Sequence, residues 1–273
     1  MKIKTRTRLI VATLFLPGIF LISSVLLDLS DFDTTWSGAV VPLLMATIQM
    51  LIVAWVVHFQ LKGENLFAVT VFPGLSLGIL VGFLTRLVGT FTGELDRYLS
   101  LILLSLILAA VIYVLNANMN ILNLATKKPI PLAQAAKAAH YISTMIFSYF
   151  GFVLIVSSNL PFLTKPLLAS LMVFAYSYIA LWTISQEYRS RLISSMSISI
   201  LLGFAYLVLS LWPLSSFYMA LFLVLMFYMS LGVALEIREM ISNLVWYEYA
   251  AIFLVMILVL LSTASWGVNG TIL

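Results

Sequence analysis

Cysteine is absent from the 273-residue chain, and histidine occurs only at His58 and His140. The first absence removes disulfides, thiolate nucleophiles and every cysteine-bearing zinc or iron–sulfur site. The second leaves too few imidazoles for a histidine-only metal centre, and neither a metal nor a cofactor is expected. Charge is scarce as well: 9% of residues are Asp, Glu, Lys or Arg, against about 25% in an ordinary soluble domain. With 63% of its residues hydrophobic, the chain could not cover a water-soluble globule with polar surface, and disorder demands the opposite balance. A net charge of +4 from 14 basic and 10 acidic residues is too small and scattered to imply a nucleic-acid partner.

What is present is a succession of apolar runs. Crossing a hydrocarbon layer of about 30 Å takes about 17–25 mostly apolar residues. Nine stretches qualify: 9–27, 40–59, 66–87, 99–120, 135–157, 167–184, 192–211, 217–235 and 244–263. Their connections are too short for a soluble domain. A transmembrane barrel would alternate apolar and polar residues, and Leu99–Ala110 (LSLILLSLILAA) does not. The expected fold is therefore all-α, a single polytopic transmembrane helical bundle over 1–273, with the bilayer as its solvent.

The opening MKIKTRTR and the apolar run behind it are similar to a signal peptide. The run exceeds the usual core of about 7–15 residues and no Ala-x-Ala-like site follows, so it reads as an uncleaved first span. An amino terminus in the cytoplasm puts Lys2, Lys4, Arg6, Arg8, Lys62, Lys127, Lys128, Lys137, Arg189, Arg191 and Arg238 on the cytoplasmic side. Only Arg86, Arg97 and Lys165 fall outside. That bias is what the positive-inside rule predicts, and an odd number of spans leaves the carboxyl terminus outside. Asp28, Asp31 and Asp33 crowd the first external loop, and Trp36, Trp212, Trp246, Tyr247, Tyr249 and Trp266 sit near span ends, where amphipathic rings settle.

Two features concern geometry. Pro73-Gly74 interrupts the third span and predicts a kink or hinge there. A shift of 52 residues superimposes Gly151-Phe152 on Gly203-Phe204, Val156 on Val208, Ser158 on Ser210, Pro161 on Pro213, Leu171 on Leu223, Tyr176 on Tyr228 and Glu187 on Glu239. This is either a parallel repeat of a helical hairpin or shared composition with a shared turn proline.

Polar residues inside a span default to a functional hypothesis. Every Asp, Glu, Lys and Arg lies within about two turns of a predicted membrane edge, which weighs against ion-coupled transport and excludes a voltage sensor. Gln49 is the mid-membrane amide, serving either as interhelical glue or as a substrate contact. At 100° per residue, Asn116, Asn120 and Asn123 share one stripe while Asn118 faces away. That stripe could line a polar cavity, bind neighbouring helices, or be solvated at the headgroups. Lys137, His140, Tyr141 and Thr144 share one face of the fifth span, where Lys137 and His140 could meet anionic headgroups; an interfacial or core role is the alternative.

Three enzyme classes were weighed. Gly74-Leu75-Ser76-Leu77-Gly78 with Ala139-His140 is similar to the Gly-x-Ser and Ala-His motifs of rhomboid proteases, but the glycines after that histidine and an oxyanion-hole pair are missing. Length and helix number resemble prenyltransferases, yet the four aspartates never form the two Asp-rich motifs those enzymes use for Mg²⁺. The Asp/Gly/Arg signature of CDP-alcohol phosphotransferases is missing too. Finally, the Asn-rich helix end from Asn116, the basic loop, Ala-Ala-Lys-Ala-Ala-His140 and the hairpin ending Ser-Gln-Glu187-Tyr resemble an uncharacterised family of bacterial polytopic membrane proteins. That resemblance implies no activity and transfers no site.

Two functional classes remain: a non-enzymatic scaffold or subunit, with a membrane-protein partner or a second copy of itself, or a facilitative small-molecule or lipid transporter. A cavity lined by Gln49 or the Asn stripe would favour transport, and a closed core the scaffold. Asn269-Gly270-Thr271 is a glycosylation sequon that matters only in a eukaryotic secretory pathway, and the expected location is a bacterial inner membrane.

Overall fold

A helix satisfies its own backbone hydrogen bonds without water, and the long apolar runs of this chain resolve into helices throughout. The computed structural model describes residues 5–26, 37–56, 64–89, 94–125, 131–183, 187–236 and 243–263. Among them are nine helices: α1 (Thr5–Leu26), α2 (Ser37–Val56), α3 (Glu64–Gly89), α4 (Glu94–Ala125), α5 (Ala133–Val156), α6 (Thr164–Trp182), α7 (Tyr188–Ser210), α8 (Ser216–Glu236) and α9 (Asn243–Thr263). Each overlies one of the nine expected stretches. Lys2, Lys4, Asp28, Asp31, Asp33, Trp36, His58, Lys62, Lys127, Lys128, Arg238, Trp266 and Asn269 lie outside the described residues.

Six helices, α3 to α8, are long and apolar enough to cross a membrane. The other three carry shorter apolar stretches, at Thr7–Ile22, Val40–Val56 and Tyr247–Ser262. The helices are apolar on the outside as well as the inside. On α4, Leu99, Ile102, Leu103, Leu106, Ile107 and Val114 are exposed, while Leu101, Leu104, Leu108, Ile112 and Leu115 are buried. A helix that is apolar all round belongs inside a large core or in lipid. Leucine and isoleucine side chains left bare at i, i+3, i+4 and i+7 leave lipid as the solvent that suits them.

The chain divides into two compact units, Met1–Ser143 and Thr144–Leu273, with the boundary inside α5. In the first unit, α1 packs on α2 and α4, and α3 packs on the same two, so the four helices close into a square. Leu16, Phe20, Phe72, Leu77, Leu108 and Ile112 fill it. The closest approach is between α2 and α3. Gly74 and Gly78, one turn apart, lie against Met50, Ala46 and Pro42 of α2. Rising numbers on α3 meet falling numbers on α2, so the pair is antiparallel.

At Pro73, where a kink or hinge is expected, α3 runs on without a gap in the helix, from Glu64 to Gly89. The proline removes one ladder hydrogen bond, but a buried helix held along its length by α2 and α4 is not broken by that loss. Pro17 and Pro42 likewise sit inside α1 and α2.

Arg8 ties the start of α1 to the end of α2. Its Nη1 donates to the Trp55 carbonyl at 2.8 Å, and its guanidinium lies 5.0 Å from the centroid of the Trp55 ring. The cation thus serves an open carbonyl in the last turn of α2 and the negative end of that helix dipole. Arg8→Ala is expected to lower stability by about 1–2 kcal/mol, the combined size of a partly desolvated cation–π contact and a helix-terminal charge. Arg8→Lys should recover the charge term but not the stacking. Thermal unfolding in detergent measures both, and equal melting of all three proteins would show that the contact contributes nothing.

In the second unit α6 packs closely on α7, α7 on α8, and α8 on α9. Gly203 of α7 lets the helix approach Ser170 and the Pro166 carbonyl of α6. Tyr176, Tyr206, Phe222 and Phe227 are the large buried side chains. Lys165 donates to the Val156 carbonyl at 3.0 Å, closing the α5–α6 turn on the open end of α5.

The 52-residue repeat receives a mixed answer here. α6 begins at Thr164 and α8 at Ser216, and both turns carry the same hydrogen bond. Ser158 Oγ donates to the Ile155 carbonyl and Ser210 Oγ to the Leu207 carbonyl, each at 2.7 Å. The environments do not repeat, since Leu171 is 65% exposed and its counterpart Leu223 is wholly buried. The turn recurs; the packing does not.

Candidate functional site

Mid-span amides in hydrocarbon must find one another or a bound group. Gln49, on the middle turns of α2, is wholly buried, and Asn116 of α4 is nearly so. Gln49 Nε2 donates to Asn116 Oδ1 at 2.7 Å. The two helices stand across the diagonal of the four-helix square, and both side chains reach its middle. Only half of a reciprocal amide pair is made: Gln49 Oε1 and Asn116 Nδ2 are buried with no hydrogen-bond partner.

The other asparagines of α4 differ in exposure. Asn123 of the stripe is buried, as is Asn118 on the opposite side of the helix, whereas Asn120 is half-exposed. α4 spans 32 residues, about 48 Å at 1.5 Å per residue, and all four asparagines lie within it.

Lys137 and His140 are separated by exposure. Lys137 is exposed on the second turn of α5, while His140 is 1% exposed. The His140 ring meets Phe72 of α3 edge-on, with centroids 4.2 Å apart and planes at 62°. An imidazole so enclosed does not face headgroups, so the two residues do not form one lipid-facing pair. Thr144 and Ser148, one and two turns further along α5, are also wholly buried.

The Gly-x-Ser-x-Gly pentapeptide has a packing role in this structure. Gly74 and Gly78 face α2, whereas Ser76, about 160–200° round the helix from them, is buried on another side. The whole pentapeptide lies inside the unbroken helix α3. The spacing of four between the glycines is the small-xxx-small pattern of close helix approach. That spacing is visible in the sequence itself. Among the described residues no three His, Asp or Glu side chains come together in a way that could hold a metal ion.

A second locus was not singled out in the sequence. Between α7 and α8 lies a groove of about 520 Å³, within the range of about 300–1,000 Å³ common for small-ligand sites. Ser190, Ser194 and Ser197 line it from α7 and Ser230 from α8, among Ile193, Ile198, Leu201, Met229 and Val233. The i, i+4, i+7 spacing of the α7 serines is the signal that could have found it. Beside them, Arg191 is buried, with its guanidinium 5.7 Å from the Tyr178 ring of α6.

The chain was compared with protein-family models, curated proteins and solved structures, and it matches none of them.

Proposed function

We propose that this protein is a multi-pass membrane protein with nine spans, amino terminus in the cytoplasm and carboxyl terminus outside, and that it acts without catalysis as a scaffold or subunit of a membrane complex. A bacterial inner membrane is the location that fits the short loops and the distribution of basic residues. The observation that carries the scaffold reading is the Gln49–Asn116 hydrogen bond: the mid-membrane amides close on each other. α1, α2 and α9 count as spans in this reading because their helices are 22, 20 and 21 residues long, about 30 Å or more each.

Purification from the native membrane in mild detergent tests the scaffold reading. A stoichiometric membrane-protein partner, or a defined homo-oligomer, is the expected result. A saturable flux of a small solute through liposomes holding this chain alone would overturn it in favour of the transporter, the reading that the α7–α8 groove favours. Topology has its own test. Reporter fusions at the two ends are expected to report opposite sides of the membrane, and both ends on one side would remove the nine-span assignment.

A further inference from the structure

We infer that the α7–α8 groove is a seat for one glycerophospholipid, with an acyl chain along the groove and the phosphodiester at its Ser190 end. The inference rests on the membrane reading, and it does not need the scaffold role. Both helices are long and apolar enough to cross a bilayer, so the medium against this groove is lipid.

The lining changes in the order of a phospholipid's own polarity. At the start of α7, Arg189 is exposed, and it supplies positive charge beside the groove's end. Glu187, also exposed, offsets part of that charge, which suits the single negative charge of a phosphodiester better than a more highly charged head. Next along the groove come the hydroxyls of Ser190, Ser194 and Ser197, at the level of glycerol and ester oxygens. Deeper still, Ile198 and Leu201 face Met229 of α8. From Ser190 to Leu201 the groove runs about 16 Å.

The serines give the independent sign. In an apolar helix a serine hydroxyl ordinarily donates to its own i−3 or i−4 carbonyl. Ser195 and Ser199, on the buried side of α7, do so, at 2.7 Å to Arg191 and 2.9 Å to Met196. Across the groove Ser230 of α8 does so too, at 2.8 Å to Met226, whereas Ser194 and Ser197, on the groove side of α7, donate to no carbonyl among the described residues. A hydroxyl in hydrocarbon without its helical acceptor needs another, and the ester oxygens of a lipid are acceptors at that depth.

The full chain, reconstituted in phosphatidylcholine vesicles, is exposed to traces of a phospholipid carrying a photoactivatable group on its acyl chain, and the labelled peptides are mapped. Label concentrated on 190–201 and 229–234 is expected. The paired change Ser194→Leu with Ser197→Leu, which fills the groove with side chains lipid tolerates, should reduce it by about tenfold. Arg189→Gln should reduce it several-fold, and a diacylglycerol probe without phosphate should label the groove more weakly. Label spread evenly over bare faces such as Leu99–Val114 of α4, or equal groove labelling by diacylglycerol, overturns the inference while leaving the membrane reading intact. No labelling by either probe removes the membrane reading as well. The unmutated chain decides among these outcomes, so a variant that fails to fold does not obscure them.

Discussion

Gly78→Leu is expected to separate α2 from α3 and to lower stability by about 3 kcal/mol, the upper end of ordinary overpacking. A Cβ at position 78 would lie 2.9 Å from Ala46 Cβ and 3.0 Å from the Pro42 carbonyl oxygen. Both are rigid, so the helices themselves must move. Gly74→Ala acts in the same direction more mildly, because the first obstacle is the Met50 side chain, although the Ala46 carbonyl oxygen lies only 2.9 Å away. Gly18→Ala on α1 is the control. A Cβ there meets nothing within 4 Å, and removing a mid-helix glycine should stabilise by about 0.5–1 kcal/mol. Thermal unfolding of the three variants in detergent should therefore show opposite signs for one glycine-to-alanine change at two positions. If Gly78→Leu melts with the unaltered protein, the close α2–α3 packing is wrong.

The second large effect concerns the amide pair. Gln49→Leu leaves the Asn116 amide buried without its hydrogen bond, and Asn116→Leu does the same to Gln49. Each single change should cost about 1–3 kcal/mol, the penalty of an orphaned buried polar group. The double change removes both amides, including the atoms already unpartnered, Gln49 Oε1 and Asn116 Nδ2. It should restore stability to the original level or slightly above. The coupling in this cycle is then the sum of the two single costs, about 2 kcal/mol or more, above the about 0.6 kcal/mol average and about 1.7 maximum of interhelical hydrogen bonds in membrane proteins, because each single change strands the other amide in the core. Strict additivity of the two single effects would show that the amides act independently.

Element positions were legible because hydropathy alone marks an apolar helix, and α9 at Asn243–Thr263 differs little from the stretch 244–263. The error was largest at α4, where asparagines after Leu115 look like the end of a span. Asn116 is inside and meets Gln49, 67 residues earlier in the chain, and no local pattern announces a pairing at that distance. For His140 the sequence leaves an interfacial or core role beside the headgroup contact, and its enclosure depends on Phe72 of another helix. The Arg8–Trp55 clamp is not legible in the sequence either, since a basic amino terminus reads as topology signal before it reads as a contact. Ser190, Ser194 and Ser197 share a helical face by their spacing, but only the placement of α8 shows that this face borders a groove.

Apolar packing by itself tells a helix poorly which way to turn. Leu101, Leu104 and Leu108 on one side of α4 and Leu99, Leu103 and Leu106 on the other would serve a neighbour almost equally well after a half rotation about the helix axis. One directional bond breaks that degeneracy, as a single buried asparagine does for a coiled coil. With Gln49 and Asn116 joined, α4 has a single azimuth, and its leucines are assigned to protein or to lipid accordingly. The loss to be watched for in the double leucine variant is thus of uniqueness: melting at the original temperature, but with α4 sampling more than one rotational setting.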